Sequence, residues 1–152
     1  MYDQIHLCGF DPLSKKDILT PAIYHCYKEN KVTSVSYSRS WGTSSHVAFI
    51  TGADELYAYG DEVHGRLLGH GKTHDQSTPT LVEALSGVVC KEVEFGCKHT
   101  TAVLTEAGKV YTFDEGSDGH LGHGNEEARH VNTLVRALET VAVWRRLYNG
   151  FE

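Results

Sequence analysis

Ten histidines are the residues of this chain best suited to chemistry. His120-x-x-His123 with His130, or His70-x-x-x-His74, offers imidazole nitrogens that a loop could fold around a zinc-like metal. Neither a paired-cysteine motif nor H-E-x-x-H accompanies them. The four cysteines, Cys8, Cys26, Cys90 and Cys97, form no C-x-x-C pair. A nucleophile elbow would need G-x-S-x-G, which is absent. Gly69-His70-Gly71-Lys72-Thr73 contains Gly-Lys-Thr, but Gly65 stands six residues before Gly71, one too many for a phosphate loop. A metal-dependent enzyme using the loop histidines stays as an alternative. The main reading expects no catalytic residue, no metal and no cofactor.

Other residue groups point to binding. Asp61-Glu62, Asp114-Glu115 and Glu126-Glu127 are acidic pairs in sequence that reads as loop. They form solvated faces, or they steer a basic partner surface toward the protein. Arg39 and Trp41, in Ser38-Arg39-Ser40-Trp41-Gly42, are of the residue types that dominate binding hot spots. A core role for Trp41 is the competing reading. These six residues, Arg39, Trp41, Asp61, Glu62, Asp114 and Glu115, are the candidate partner contacts.

Charge narrows the partners. The net charge is −6, and it is unevenly spread. Residues 1–53 hold five Lys/Arg and four Asp/Glu, whereas residues 54–152 hold nine and sixteen. Nucleic-acid affinity rests on cations that neutralise phosphates, so direct nucleic-acid binding is not expected. No run approaches the roughly 20 apolar residues that span a bilayer. The first residues, MYDQIHLCGFDPLSKKD, lack a charged segment followed by an apolar one. An intracellular protein, cytoplasmic or nuclear, with reduced thiols is the expectation.

The elements that would position these residues come in a repeat. TLVEAL at 80–85 returns as TLVRAL at 133–138. Gly42, Gly96 and Gly150 are spaced 54 residues apart. Such a period points to a propeller or solenoid. Each unit reads as short strands between glycine turns: Glu55–Gly60, Thr80–Leu85, Val88–Phe95 and His99–Thr105. The loops 61–78 and 114–132 separate them and carry most candidate contacts. Leu68 is expected to plug the core under its turn. Ala48 and Ala102, in matching strands, suggest a crowded place. One domain of three units results, 1–54, 55–108 and 109–152. His70 and His123 hold equivalent places in two LGHG turns, which assigns them to the fold.

The combined pattern resembles the regulator of chromosome condensation repeat family. Leu56, Tyr57, Tyr59, Gly60, Gly65, Leu68, Gly69, Gly71, Pro79, Gly96, His99, Thr100, Leu104, Thr105, Gly108, Val110 and Tyr111 carry it, and Gly119, Leu121, Gly122 and Gly124 resume it. The resemblance implies an all-β fold of antiparallel β-propeller blades, in a seven-bladed type of ring of which this chain holds a part. It also implies a non-catalytic scaffold that binds protein partners through blade loops. The founding member of the family is a guanine-nucleotide exchange factor for a small nuclear GTPase, so exchange activity is the alternative. Other members assist modifying-enzyme complexes. Gly65, Gly69, Gly71, Gly96, His99, Gly119, Gly122 and Gly124 are then structural. Phe113-Asp114 departs from the family's aromatic-glycine pair. The third unit halts at Glu152, two residues past Gly150. A fragment, a truncated product, or a protomer that completes its propeller by assembly is expected.

Overall fold

β-Branched and aromatic runs between glycine turns build strands throughout the described part of the chain. The computed structural model describes residues 5–11, 16–24, 31–39, 45–60, 68–71, 76–96 and 100–141. The strands are β1 (Ile5–Asp11), β2 (Lys16–Tyr24), β3 (Val32–Arg39), β4 (Ser45–Thr51), β5 (Leu56–Gly60), β6 (Gln76–Leu81), β7 (Cys90–Phe95), β8 (Thr101–Thr105), β9 (Val110–Asp114) and β10 (Arg129–Leu134). β1 pairs with β2. β3-β4-β5-β6 and β7-β8-β9-β10 are two four-stranded antiparallel sheets in which chain neighbours pair. Short hairpins suffice for such meanders. Among the described residues no helix is long and apolar enough to cross a membrane.

The sheets do not follow the sequence frame. The unit 55–108 gives β5 and β6 to the first sheet and β7 and β8 to the second. One repeat therefore ties two sheets together covalently.

Side-chain alternation along the strands puts the main core between the sheets. Ala48, Ile50, Leu56 and Ala58 of the first sheet meet Val93, Val103 and Phe113 of the second. Leu68 joins them, 5% exposed, so it does plug the core beneath its turn. Ala48 is fully buried opposite Ala58. Ala102, its counterpart, is partly exposed. On the other face of the first sheet Val47, Phe49 and Tyr59 are buried, and the Phe49 and Tyr57 rings stack at 5.6 Å.

Both edges of this sandwich are stitched. A bare sheet edge presents N–H groups that other chains can pair with. On β7 two of these are taken by the neighbouring sheet. Val93 N–H donates to Ser34 Oγ at 3.4 Å and Phe95 N–H to Ser36 Oγ at 3.2 Å. Ser36 Oγ donates to Glu94 Oε2 at 3.4 Å. The His46 ring stands edge-on to Phe95, centroids 4.5 Å apart. At the opposite edge Gly71 N–H donates to His130 O at 3.1 Å, and His70 bridges to Val131 of β10.

Three expectations change. TLVEAL is not one extended segment: β6 ends at Leu81 and a 3-10 turn follows at Glu83–Leu85. Val82 N–H donates to Leu56 O, and Leu85 N–H folds back onto Val82 O at 3.0 Å. These bonds anchor Val82 under the sheet and turn the chain away. TLVRAL repeats this, with Val135 N–H on Val110 O and a 3-10 turn at Arg136–Leu138. The two expected long loops are also shorter. Gln76–Thr78 belongs to β6, and Arg129–Asn132 to β10. Lastly, the glycine ruler slips in the first sheet. Phe95 pairs with Thr101, but Tyr37, five residues before Gly42, pairs with Val47 at the corresponding place.

Candidate interaction surface

The loop from β9 to β10 is described in full, and its shape follows from a few short-range contacts. Leu121 is 1% exposed and anchors the loop in the sheet. Thr112 Oγ1 donates to Leu121 O at 2.7 Å. That uses its only proton, so the 3.0 Å contact to His123 Nε2 requires the imidazole to donate. His70 has the same tautomer in the first LGHG turn, where Nε2 lies 3.3 Å from Ala58 O. Burial, then the nearby Arg129 charge, lowers the pKa of His123. These contacts explain why the histidine recurs: it ties the turn to the strand beneath. Among the described residues no three His, Cys, Asp or Glu side chains converge as a metal site.

Gly116 closes the loop's base. A Cβ there would sit 2.1 Å from Glu127 O, so only glycine fits. Ser117–Gly119 forms a 3-10 turn, and the His120 ring Nδ1 contacts Ser117 O. Asp118 occupies φ 59°. The return limb is organised by Asn125. Its Oδ1 accepts from Glu127 N–H at 3.3 Å and from Arg129 Nη2 at 3.2 Å. Arg129 Nη1 pairs with Glu127 Oε2 at 2.9 Å.

The outcome is a shaped acidic surface. Glu115, Asp118, Glu126 and Glu127 are exposed, and Arg129 is the one Lys or Arg in 115–129. These solvated carboxylates on a tethered loop give its surface a negative field.

Glu115 is where the sequence placed it, but Asp114 is corrected. It is not a loop residue: it ends β9, is 3% exposed, and accepts Thr101 Oγ1 at 2.6 Å. Its backbone sits at φ 90°, while Gly60, at the matching place after Tyr59, sits at φ 147°. The aspartate thus takes a glycine-type conformation, and the buried hydroxyl–carboxylate bond offsets the strain. Arg39 is corrected too, since its backbone lies in β3 opposite Ser45 and not in a loop. Trp41, Asp61, Glu62, Gly65 and His99 lie outside the described residues.

The remaining structural glycines act by geometry. Gly69 has φ 73°, and a Cβ there would stand 2.7 Å from Asn132 Nδ2 and 3.1 Å from the Phe113 ring. Gly71, Gly119, Gly122 and Gly124 also have positive φ. Gly96 N–H closes the β7–β8 turn on Thr100 O at 2.7 Å. Sequence reasoning missed Ser34 and Ser36. Their spacing of two within TSVSYS puts both hydroxyls on one face, a signal that gains meaning only once a second sheet edge is known to lie there.

Cys90 is a free, buried thiol. Burial and the Asp54 charge push its pKa up to about 11, so it stays protonated and unreactive near neutrality. A groove of about 550 Å³ opens beside the β8–β9 hairpin, lined chiefly by Val88, Val89, Ala107, Lys109 and Tyr111. It is separate from the acidic loop.

Residues 53–103 match the Regulator of chromosome condensation (RCC1) repeat. Those residues carry an RCC1 repeat. Over 106 residues it is 38% identical to Protein RCC2 homolog of Danio rerio, covering 70% of this chain and 20% of that protein. Over 96 residues it is 40% identical to E3 ubiquitin-protein ligase HERC2 of Homo sapiens, covering 62% of this chain and 2% of that protein. Yeast RCC1 (Prp20), solved with Kap60, superposes with a TM-score of 0.66 at 18% identity, covering 88% of this chain and 31% of that one. Prp20p of Saccharomyces cerevisiae, described with its binding to Gsp1p and histones, superposes at 0.63 and 17% identity, covering 88% and 32%. The two four-stranded sheets are therefore antiparallel β-propeller blades. The chain spans 2% to 20% of the length of the two curated relatives.

Proposed function

We propose that this RCC1-repeat chain is a non-catalytic scaffold whose β9–β10 loop binds a basic surface of a protein partner. The observation that carries the reading is the exposed set Glu115, Asp118, Glu126 and Glu127 on a loop fixed by Leu121, Gly116 and Asn125. A pre-ordered loop loses little entropy on binding. Carboxylates at a binding rim act mainly on association rate and salt dependence. Prp20p supports this choice of partner chemistry, because histones, which it binds, are basic. Its other partner, Gsp1p, motivates a second reading as an exchange factor for a small GTPase. Both readings put the chain inside the cell, in cytoplasm or nucleus, and both treat residues 1–152 as one blade-bearing domain.

The test is a titration of immobilised core histones, as basic protein probes, with the chain and with the triple variant Glu115→Lys, Glu126→Lys, Glu127→Lys. The reading expects binding by the parent that weakens as salt rises. It expects at least a tenfold loss in the variant, about 1.4 kcal/mol. Equal binding by both proteins sinks it. Release of fluorescent GDP from a small GTPase, accelerated by the chain, would establish the exchange reading instead.

A further inference from the structure

The β8–β9 turn and the approach to β7 border the groove of about 550 Å³, at the start of β9. The acidic loop leaves the other end of that strand, after Asp114. Sites of this size hold a ligand when a few polar groups stand among apolar walls. Here Val88 and Tyr111 pack on the core between the blades, and Val89 is 48% exposed beside them.

The polar groups of the groove are donors. Ser86 (φ −58°, ψ 129°) and Gly87 (φ 77°) make a turn closed by Val88 N–H on Leu85 O at 3.0 Å. Gly108 N–H closes the β8–β9 turn on Thr105 O at 2.9 Å. The N–H groups of Gly87, Val89 and Ala107 keep no acceptor among the described residues. Lys109 is exposed, and its ammonium has no ion-pair partner among the described residues. Glu106, the one acid lining the groove, is paired with Lys91 at 3.2 Å. Donors and a cation with no acceptor between them suit a carboxylate, which only accepts.

The frame of this groove is repeated in the first blade, but its chemistry is not. Glu106 N–H donates to Val89 O, as Gly52 N–H donates to Lys31 O. Strand pairing sets Tyr57 against Tyr111 and Glu55 against Lys109. So where the first blade has Lys31 and Glu55, the second has Val89 and Lys109. The first blade also occupies its own acid, because Tyr57 Oη donates to Glu55 Oε2 at 3.2 Å. An apolar floor beside an uncommitted cation therefore belongs to the second blade and not to the repeat.

We propose that this groove binds the C-terminal end of a partner peptide, its carboxylate on Lys109 and the turn N–H groups, its apolar last side chain over Val88, Val89 and Tyr111. Capture of a chain terminus by unpaired backbone N–H groups is an established way of reading peptides. The groove is open along one side, so the rest of the peptide can run out of it. Carbonyls of the peptide then share the donors with its carboxylate. The proposal does not rest on the acidic-loop reading, which concerns the opposite end of β9.

Fluorescence anisotropy with a fluorescein-labelled peptide, Ser-Gly-Ser-Gly-Leu-Leu, tests it. The free-acid peptide should bind saturably, and the same peptide with an amidated C-terminus should bind about tenfold more weakly. Lys109→Glu, which installs the first blade's charge, should cost about tenfold as well. Val89→Asp, a change at an exposed site, should lower affinity through the floor by a comparable factor. Glu115→Lys, in the acidic loop, should leave peptide binding unchanged. Isocaproate, the bare acid tail, should displace the probe far less well than unlabelled peptide. No saturable binding up to about 1 mM overturns the proposal. So does equal binding of acid and amide, or full affinity in Lys109→Glu. Isocaproate competing as well as the peptide overturns the peptide and assigns the groove to a small acid.

Discussion

The two blades share a plan but fill it with different chemistry. Where the first blade has Ala58, Gly60 and Ser36, the second has Thr112, Asp114 and Glu94. The first blade is closed by apolar packing on both faces, with Ala48, Phe49 and Ile50 fully buried side by side in β4. β8 alternates instead, with Thr101, Val103 and Thr105 buried and Ala102 and Leu104 partly exposed. The second blade compensates with buried polar bonds, Thr101 to Asp114 and Thr112 to Leu121. A repeat therefore constrains hydrogen-bond geometry and strand register more tightly than side-chain identity. Polarity drifts according to what covers each face.

This contrast can be broken most severely at Phe113. It is 1% exposed, belongs to the core between the blades, and lies against Gly69. Phe113→Ala should cost about 3–5 kcal/mol in a urea melt. Val110→Ala, on the outward face, should cost about 1 kcal/mol, since far less apolar area is lost. Equal losses at the two sites would dissolve the distinction between the buried face and the partly exposed one.

A smaller effect is expected at the substituted glycine position. Asp114→Ala leaves the Thr101 hydroxyl buried without this acceptor and keeps a side chain at φ 90°, so about 2–3 kcal/mol should be lost. Asp114→Gly loses the same bond but relieves the strain, and should cost about 1 kcal/mol less than alanine. If alanine is the better tolerated of the two, the strain account fails.

The smallest effect is a pH dependence at the second LGHG turn. His123 has a folded pKa below the ordinary value of about 6.5, mainly through burial. The unfolded chain then binds the proton more readily than the folded one. Stability contributed by the neutral ring is complete above about pH 6.5 and falls as pH drops below it. His123→Gln should flatten the dependence of the melting midpoint below pH 6.5 relative to the parent. An unchanged slope would show that the ring titrates alike in both states.

Much of the architecture was legible in the residues. The aromatic run Leu56–Gly60 and the alternating Glu92-Val93-Glu94-Phe95 both form strands, and the LGHG turns hold their histidines in equivalent bonds. The TLVEAL segment misled because β-branched composition says nothing about where Val82 N–H finds its acceptor, and that acceptor, Leu56 O, is remote in sequence. Asp114 misled for a related reason. Adjacent acids read as a solvated loop, but one residue further along a strand reverses the face, and Thr101 waits on the inner one. Glu115, Glu126 and Glu127 were readable because exposed acids in a glycine-rich segment need no distant partner to stay outside.

The half-step between repeat and blade has a consequence for copy number. β4 and β8 are equivalent, and so are β5 and β9. Excising 55–108 would join Asp54 to Lys109 and place β4 directly before β9. The strands left from the two four-stranded sheets, β3, β4, β9 and β10, would still read in order as one complete blade. Loss or gain of a whole unit in the gene therefore leaves no orphaned strand, and blades can be dealt in or out without any sheet being cut.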